Sequence, residues 1–307
     1  MLNAVEDLLN LVKQHNKKGE ICILYAMRQI ILISLCVSMI GVSNDTIGQK
    51  PVDPYGEIGF TGGYSYYIGD INPYKHFGPR KKFAFGGMYR FNITKRHAIR
   101  LQGLRLHVEG YDSDNDDPDL VNRNLNFRNK MTELSMLLEI NFHEYRLGRL
   151  GQGFTPYLFG GFAYFHMNPE AELDGSYFEL IDIHTEAQGA DGFDKPYTRG
   201  QFAIPFGFGI KAGFTKRLAL NIEWGIRRTF TDYIDDVSGE YADPSIIRDN
   251  ADLELAVELA DRSLQPVGPN GSNIGMLRGD SEFRDWYIYT GFILSVRLGK
   301  DGNGCWK

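Results

Sequence analysis

The stretch Gln201–Phe230, QFAIPFGFGIKAGFTKRLALNIEWGIRRTF, decides the fold. It reads as two strands joined by a tight turn. On the first arm Phe202, Ile204, Phe206, Phe208, Ile210, Ala212 and Phe214 recur at period two. Ala203, Pro205, Gly207, Gly209, Lys211 and Gly213 fill the positions between them. On the second arm Leu218, Leu220, Ile222, Trp224 and Ile226 alternate with Ala219, Asn221, Glu223, Gly225 and Arg227. Period two is the signature of a strand with two unlike faces. A soluble sheet would bury the apolar face and solvate the other. Here each arm runs to about ten residues or more, the length a tilted strand needs to cross a bilayer. The apolar face is crowded with large aromatics. The opposite face is glycine with scattered charge, which suits the interior of a small barrel.

The rest of the chain repeats this pattern. Tyr55–Tyr67 places Ile58, Phe60, Tyr64 and Tyr66 on one face; Phe83–Asn92 does the same with Phe83, Phe85, Tyr89 and Phe91. In His97–Glu109 the apolar phase passes from Ile99 and Leu101 to Leu104, Leu106 and Val108. That slip points to a bulge at Gly103. Lys130–His143 sets Leu134, Met136, Leu138, Ile140 and Phe142 opposite Glu133, Ser135, Glu139 and Asn141. Thr155–Met167 is apolar on both faces, so its orientation is ambiguous. Trp286–Leu298 completes eight strands, an even number within the range of bacterial single-chain barrels.

The connections set the topology. Ile93–Arg96, Glu144–Gly153 and Thr215–Arg217 are short; Ile68–Lys82, Gly110–Asn129, Asn168–Gly200 and Asp232–Asp285 are long. Strict alternation of short and long predicts an all-β, eight-stranded antiparallel transmembrane barrel with short periplasmic turns and long extracellular loops. Both termini then face the periplasm. Soluble lipocalin-type barrels are the alternative, but they turn their aromatics inward and rarely carry so long a loop.

Composition agrees. The chain has 307 residues and a formal net charge of -6, which argues against a general nucleic-acid binder. Gly 35, Phe 20 and Tyr 17 are high counts. The mean hydropathy of -0.30 would suggest a soluble protein, but barrel strands are apolar on one side only. At the N-terminus, Met27-Arg28-Gln29 precedes the apolar run Ile30–Val42, a secretory signal peptide. Cleavage after Gly48 fits the small-residue rule, and Ser43 is a second candidate. Residues 1–48 therefore read as leader and signal peptide, with Met27 as the true start, and 49–307 as the barrel. An extended leader from Met1 is the alternative. Cys36 lies within the apolar run behind Leu35, where lipidation would need a small residue. Of Cys22, Cys36 and Cys305, only Cys305 survives cleavage, so no internal disulfide framework follows.

Charged residues at inward positions are Glu57, Arg90, Glu133, Glu139, Lys211, Glu223, Arg227 and Arg297. An eight-stranded barrel is only wide enough to be filled by its own side chains, so these read as interior ion pairs. A selective pore would need more strands. No cofactor or metal motif is present. Asp112–Asp119, DSDNDDPD, lacks the glycine and glutamate of a calcium loop and reads as a solvated acidic loop, compatible with weak divalent binding. His107 and His166 lie near the outer rim, but no motif joins them to a nucleophile, so lipid-modifying chemistry is a minor reading. Arg278-Gly279-Asp280 is an adhesion tripeptide of the kind that arises by chance. Asp249–Ser263 reads as one short amphipathic helix inside the long loop 232–285.

Several local motifs resemble the PorG family of Bacteroidetes. They are Tyr67-Ile68-Gly69-Asp70-Ile71-Asn72-Pro73, Thr94-Lys95-Arg96-His97-Ala98, Thr155-Pro156-Tyr157-Leu158-Phe159, Asp285-Trp286-Tyr287 and, most specific, the run Thr229–Ser238 within Arg227–Ser238. The resemblance runs from about Tyr55 to the C-terminus. It implies a non-enzymatic outer-membrane barrel of the type IX secretion system, with the periplasmic ring lipoprotein and other secretion subunits as partners and outer-membrane lipid around it. It carries over no catalytic residue. A passive envelope barrel of the OmpA or OmpW kind is the second reading. Cys305, on the tail after the last strand, is the candidate for a disulfide to a periplasmic partner.

Overall fold

A computed structural model of the chain describes residues 54–299 apart from 150, 252 and 253. The leader and signal peptide, Met27 and Cys305 lie outside the described residues. Eight strands form the barrel: β1 Tyr55–Ile68, β2 Lys82–Asn92, β3 His97–Tyr111, β4 Asn126–Asn141, β5 Phe154–His166, β8 Gly200–Gly213, β9 Leu218–Thr229 and β10 Trp286–Arg297. Each pairs antiparallel with its neighbours, and β1 pairs with β10 while β3 pairs with β4, so the sheet has no free barrel edge. Closure satisfies every strand's backbone without water, which a hydrocarbon surround requires.

The outward face is that of a membrane barrel. Phe60, Phe83, Leu134, Phe162, Phe202, Phe208, Ile222 and Phe292 are all exposed on it. No helix among the described residues is long and apolar enough to cross a membrane; the strands do the crossing. The period-two hairpin behaves as its sequence requires, with the aromatics of β8 outward and Ala203, Lys211, Asn221, Glu223 and Arg227 buried inside. Gly207 and Gly225 face each other across β8 and β9. A Cβ on either would come within 2.7 and 2.6 Å of the Phe159 ring, so the ring's seat inside the barrel depends on both glycines.

Two readings are settled here. β5 is apolar on both faces because Tyr157, Phe159 and Phe165 pack inside while Phe154, Leu158, Phe162 and Tyr164 face out. The expected bulge at Gly103 is absent. β3 keeps unbroken register with β4, Gly103 opposite Leu134, and Leu104, Leu106 and Val108 point inward together with Ala98 and Arg100. The phase slip in the sequence is a change in what the interior holds, from ionic to apolar, with no change in the strand.

The long loops are built rather than loose. β3 and β4 extend into Gly110–Asn129, leaving a 3-10 turn at Asp112–Asp114 and helix α1, Pro118–Arg123. Residues 167–199 contain the hairpin β6 Pro169–Leu173 and β7 Ser176–Glu179, in which β6 joins the rim of β4. The loop after β9 holds two helices where one was expected, α2 Pro244–Ala251 and α3 Glu254–Ala260. Ala256, Leu259 and Ala260 of α3 pack with Ile247, Ala171, Leu180 and Ile183 into a small second core. Asn122 of α1 donates to Gln265 O at 2.8 Å and accepts from its N–H at 3.1 Å, tying the loops together.

Leu134, 66% exposed at mid-strand on the outward face, tests the orientation. Leu134→Arg is expected to destabilise the folded barrel in lipid vesicles by about 2–4 kcal/mol, the cost of a basic side chain at the midplane. Urea unfolding followed by tryptophan fluorescence measures it. An unchanged midpoint would place this face away from lipid.

Candidate functional site

Two buried polar layers occupy the interior. The first is ionic. Glu139 on β4 forms ion pairs with Arg90 Nε at 2.8 Å and Arg100 Nε at 3.2 Å, and accepts a hydrogen bond from Lys211 Nζ at 2.6 Å. Arg90 also pairs with Glu57 at 2.8 Å, and Arg100 with Glu223 at 2.8 Å. Arg227 pairs with Glu133 at 3.1 Å. Tyr157 donates to Glu223, Tyr287 to Glu133 and Ser295 to Glu57. Every barrel strand thus contributes a side chain. All eight charged members are at most 2% exposed. Four acids face four bases, so the formal charge of the layer is zero. That balance is what lets ions sit in a low-dielectric interior.

Seven of the eight inward charges read from the sequence are in this network. The eighth, Arg297, is not a member in the way expected. It donates to Leu147 O at 2.7 Å and lies over the Tyr55 ring at 4.7 Å. There it fastens the connection between β4 and β5, whose Tyr145 and Leu147 are buried under the barrel at the short-turn end. Arg100 was missed, although its alternation with Ile99 and Leu101 placed it inward. The apparent slip at Gly103 obscured that parity.

The second polar layer lies at the long-loop end, above an apolar belt that includes Leu104, Leu106, Phe127, Phe165, Tyr287 and, from the loop, Ile234 and Val237. Here three stretches distant in the chain meet. Tyr67 and Asp70 come from the first, Asp232, Asp235 and Asp236 from the run Thr229–Ser238, and Asp285 from the last. Tyr67 Oη lies 2.5 Å from Asp235 Oδ2 and 2.8 Å from Asp285 Oδ1. A hydroxyl has one hydrogen to give, so both contacts are hydrogen bonds only when one carboxyl is protonated. Burial pushes both carboxyls well above the ordinary range, aided by repulsion from Asp285 and Asp70 at Asp235 and from Asp232 and Asp70 at Asp285. Asp285 Oδ2 accepts from Ile234 N–H at 2.8 Å and Asp235 Oδ1 from Val237 N–H at 3.0 Å. Asp236 accepts from Thr185 at 2.5 Å and Tyr197 at 2.6 Å. The cluster therefore pins the loop to the barrel wall from both sides.

Basic side chains fasten the outer edge. Arg278 Nη1 pairs with Glu186 at 2.7 Å and also donates to Asp236 O at 2.6 Å. Arg278 is buried, so Arg278-Gly279-Asp280 is a structural corner rather than a displayed tripeptide. Arg123 donates to Asp112 at 2.7 and 2.8 Å, to Asp70 O at 2.9 Å and to Arg278 O at 2.6 Å. Asp112 is fully buried, and Asp114 and Asp116 pair with Arg80 and Lys75. Asp117 caps α1 through Asp119 N–H. The run Asp112–Asp119 is thus solvated over most of its length, as expected, with Asp112 alone buried as an anchor for Arg123. Among the described residues no group of three or more acid, histidine or cysteine side chains is placed to hold a metal ion. His107 and His166 stand on the outward side of β3 and β5, facing away from the interior carboxylates.

The chain matches the family described as a domain of unknown function, DUF6089, over residues 47–248. It belongs to that family. No curated protein sequence matches it. Similar solved structures include the outer membrane protein OprG of Pseudomonas aeruginosa, at 10% identity, covering 82% of this chain and 100% of that one, with a TM-score of 0.39. Neisserial surface protein A aligns at 7% identity over 80% and 100%, TM-score 0.38. The N-terminal barrel domain of Pseudomonas aeruginosa OprF aligns at 11% identity over 81% and 100%, TM-score 0.35. The barrel assignment here rests on the chain's own strand pairing and closure.

Two predictions follow from the layers. Glu139→Ala leaves three buried cations without their shared carboxylate and is expected to cost about 3–5 kcal/mol in vesicle unfolding. A loss below about 1 kcal/mol would mean that water fills this layer. The mouth should respond to pH. Burial pushes Asp232 and Asp236 up to about 7 and Asp70 up to about 6, from an ordinary 3.8. Raised carboxyl pKa values mean the closed mouth holds more protons than an open one between about pH 4 and 7, so closure weakens as pH rises through that window. Exchange of the Ile234, Val237 and Ser238 amides should accelerate there beyond base catalysis alone. Asp232 is 1% exposed. Asp232→Asn, a mimic of the protonated acid, should slow that exchange at pH 8; unchanged exchange would remove Asp232 from the effect.

Proposed function

We propose that this chain is a non-enzymatic outer-membrane barrel that anchors a periplasmic assembly of the type IX protein secretion machinery. The observation that carries the reading is the charge-balanced ionic layer, filled from all eight barrel strands. A lumen so occupied serves as a wall and not as a conduit. The buried Tyr145 and Leu147 at the short-turn end, and the loop residues Ile234 and Val237 at the other, fit the same role. The motif resemblance names the partners: a periplasmic ring lipoprotein and other subunits of the secretion machine. The alternation of turns and loops supports short turns and both termini in the periplasm, with the cap outside the cell.

The test combines location, contact and phenotype. A tag at Asp116, an exposed loop residue, is expected to bind antibody on intact cells, and one at Lys216 in the β8–β9 turn is not. The reverse pattern would invert the topology. Detergent-solubilised membranes should yield the ring lipoprotein with the barrel. On a non-reducing gel, a slower band lost on reduction and in Cys305→Ser would assign the link to that thiol. Type IX secretion that continues unimpaired in a deletion strain would overturn the proposed role.

A further inference from the structure

The outward wall of the barrel changes character at the long-loop end. In register, Tyr66 faces Ile288 across β1 and β10, and Ile288 faces Ile226 across β10 and β9. All three belong to the outward parity that carries Phe292 and Leu294 further down β10. Yet Tyr66 and Ile288 are buried. Beyond Ile71, which packs into the interior belt, the first long loop folds down outside the barrel. His76 Nδ1 is 3.3 Å from Tyr66 Oη, and the Phe77 ring sits 5.4 Å from the Tyr66 ring, centre to centre.

Between this loop and residues 277–284 lies an open groove of about 690 Å³. Sites for small molecules fall in the range of about 300–1,000 Å³. Its floor is Ile226, Trp286 and Ile288 from the strands. Its walls include Tyr74 from one loop and Leu277 and Phe283 from the other. Leu277 and Phe283 are 76% and 75% exposed, large apolar side chains beside a groove that they do not fill.

We propose that this groove binds one acyl chain of a membrane lipid, with the lipid's anionic head group at the rim. Three features select that occupant. The floor is continuous with the lipid-facing band along β9 and β10, so a hydrocarbon chain enters from the bilayer without crossing a polar belt. Trp286 and Tyr74 are the amphipathic aromatics that sit at a bilayer's interface. Arg284, exposed on the lining, supplies positive charge where a phosphate would sit; Asp70, Asp117 and Asp280 share the lining, and Arg123 and Arg278 in the same wall are already paired with Asp112 and Glu186. A water-borne ligand would meet the apolar floor only after passing this rim. The bound lipid would brace the loop that carries Asp70 to the wall at the mouth, so the site lies apart from any role in secretion.

The test uses the folded barrel in detergent with a palmitoyl-oleoyl phosphatidylglycerol. Native mass spectrometry is expected to show one lipid retained per chain at detergent levels that strip the surrounding lipid. Leu277→Asp with Phe283→Asp changes two exposed positions, and faster migration of the unheated sample on a denaturing gel verifies that the variant is folded. The retained fraction should fall at least tenfold. Leu134→Ala, on the lipid-facing wall away from the groove, should leave it unchanged. In a Trp224→Phe, Trp306→Phe chain, Trp286 is the only tryptophan of the three. Lipid brominated on the acyl chain should quench it saturably, at about one equivalent. No retained lipid, equal retention in the double variant, or quenching that grows without saturation as in bulk lipid, would each overturn the proposal.

Discussion

The constraint on which this structure depends is the cost of ions in a dry interior. A charge moved out of water is stable only where its partner and its hydrogen bonds are already in place. Glu139 meets this by pairing with three cations on three different strands, and each of those strands is thereby held at one register. A slip by a single residue on β2 would turn Arg90 to the lipid and leave Glu57 inside without its cation. Replacing such a network by apolar side chains is often neutral or better for stability. Its contribution here is to specify one arrangement of eight strands among many that would bury similar area.

The interior is also graded along its axis. At the short-turn end, Arg297, Tyr55 and Leu147 close the barrel around a turned-in connection. The ionic layer follows, then an apolar belt, then the carboxyl cluster that ties loop to wall. The apolar belt separates two polar layers with different logic. Below it, opposite charges cancel. Above it, carboxyl groups crowd together beside only a few bases, and protons take the place of countercharge. Tyr67 stands where the belt ends, its ring against Phe127 and its hydroxyl between Asp235 and Asp285. One side chain therefore joins the packing of the belt to the proton balance of the mouth.

The loops make the long-loop end a built cap. Their second small core, the reciprocal bonds of Asn122 with Gln265, and the Arg123 and Arg278 corners hold several separate segments in one arrangement. The first loop departs from the rest by descending over the outer wall at Tyr66. The same end of the molecule thus has a sealed interior face and a grooved exterior one, and the two share the backbone around Asp70.

Much was legible in the residues alone. Period-two alternation depends only on the pleat of a strand, so the eight strands, the faces of most of them and seven of the interior charges could be read without knowing their neighbours. The balance of short and long connections likewise needs only the order of strands. What failed was whatever depends on partners distant in the chain. Whether Leu104 faces lipid or lumen cannot be judged by hydrophobicity, because both surroundings of that wall are apolar at that height, and only pairing with β4 decides it. Asp112 looks as solvated as the rest of Asp112–Asp119, and nothing local announces that Arg123 pairs with it in a buried place. Arg297 alternates correctly and finds a carbonyl instead of a carboxylate. Periodicity determined which side of the sheet most strand residues occupy; the closed tertiary structure decided the rest and what waits there, because the partners of a buried charge are brought from strands and loops that no local pattern connects.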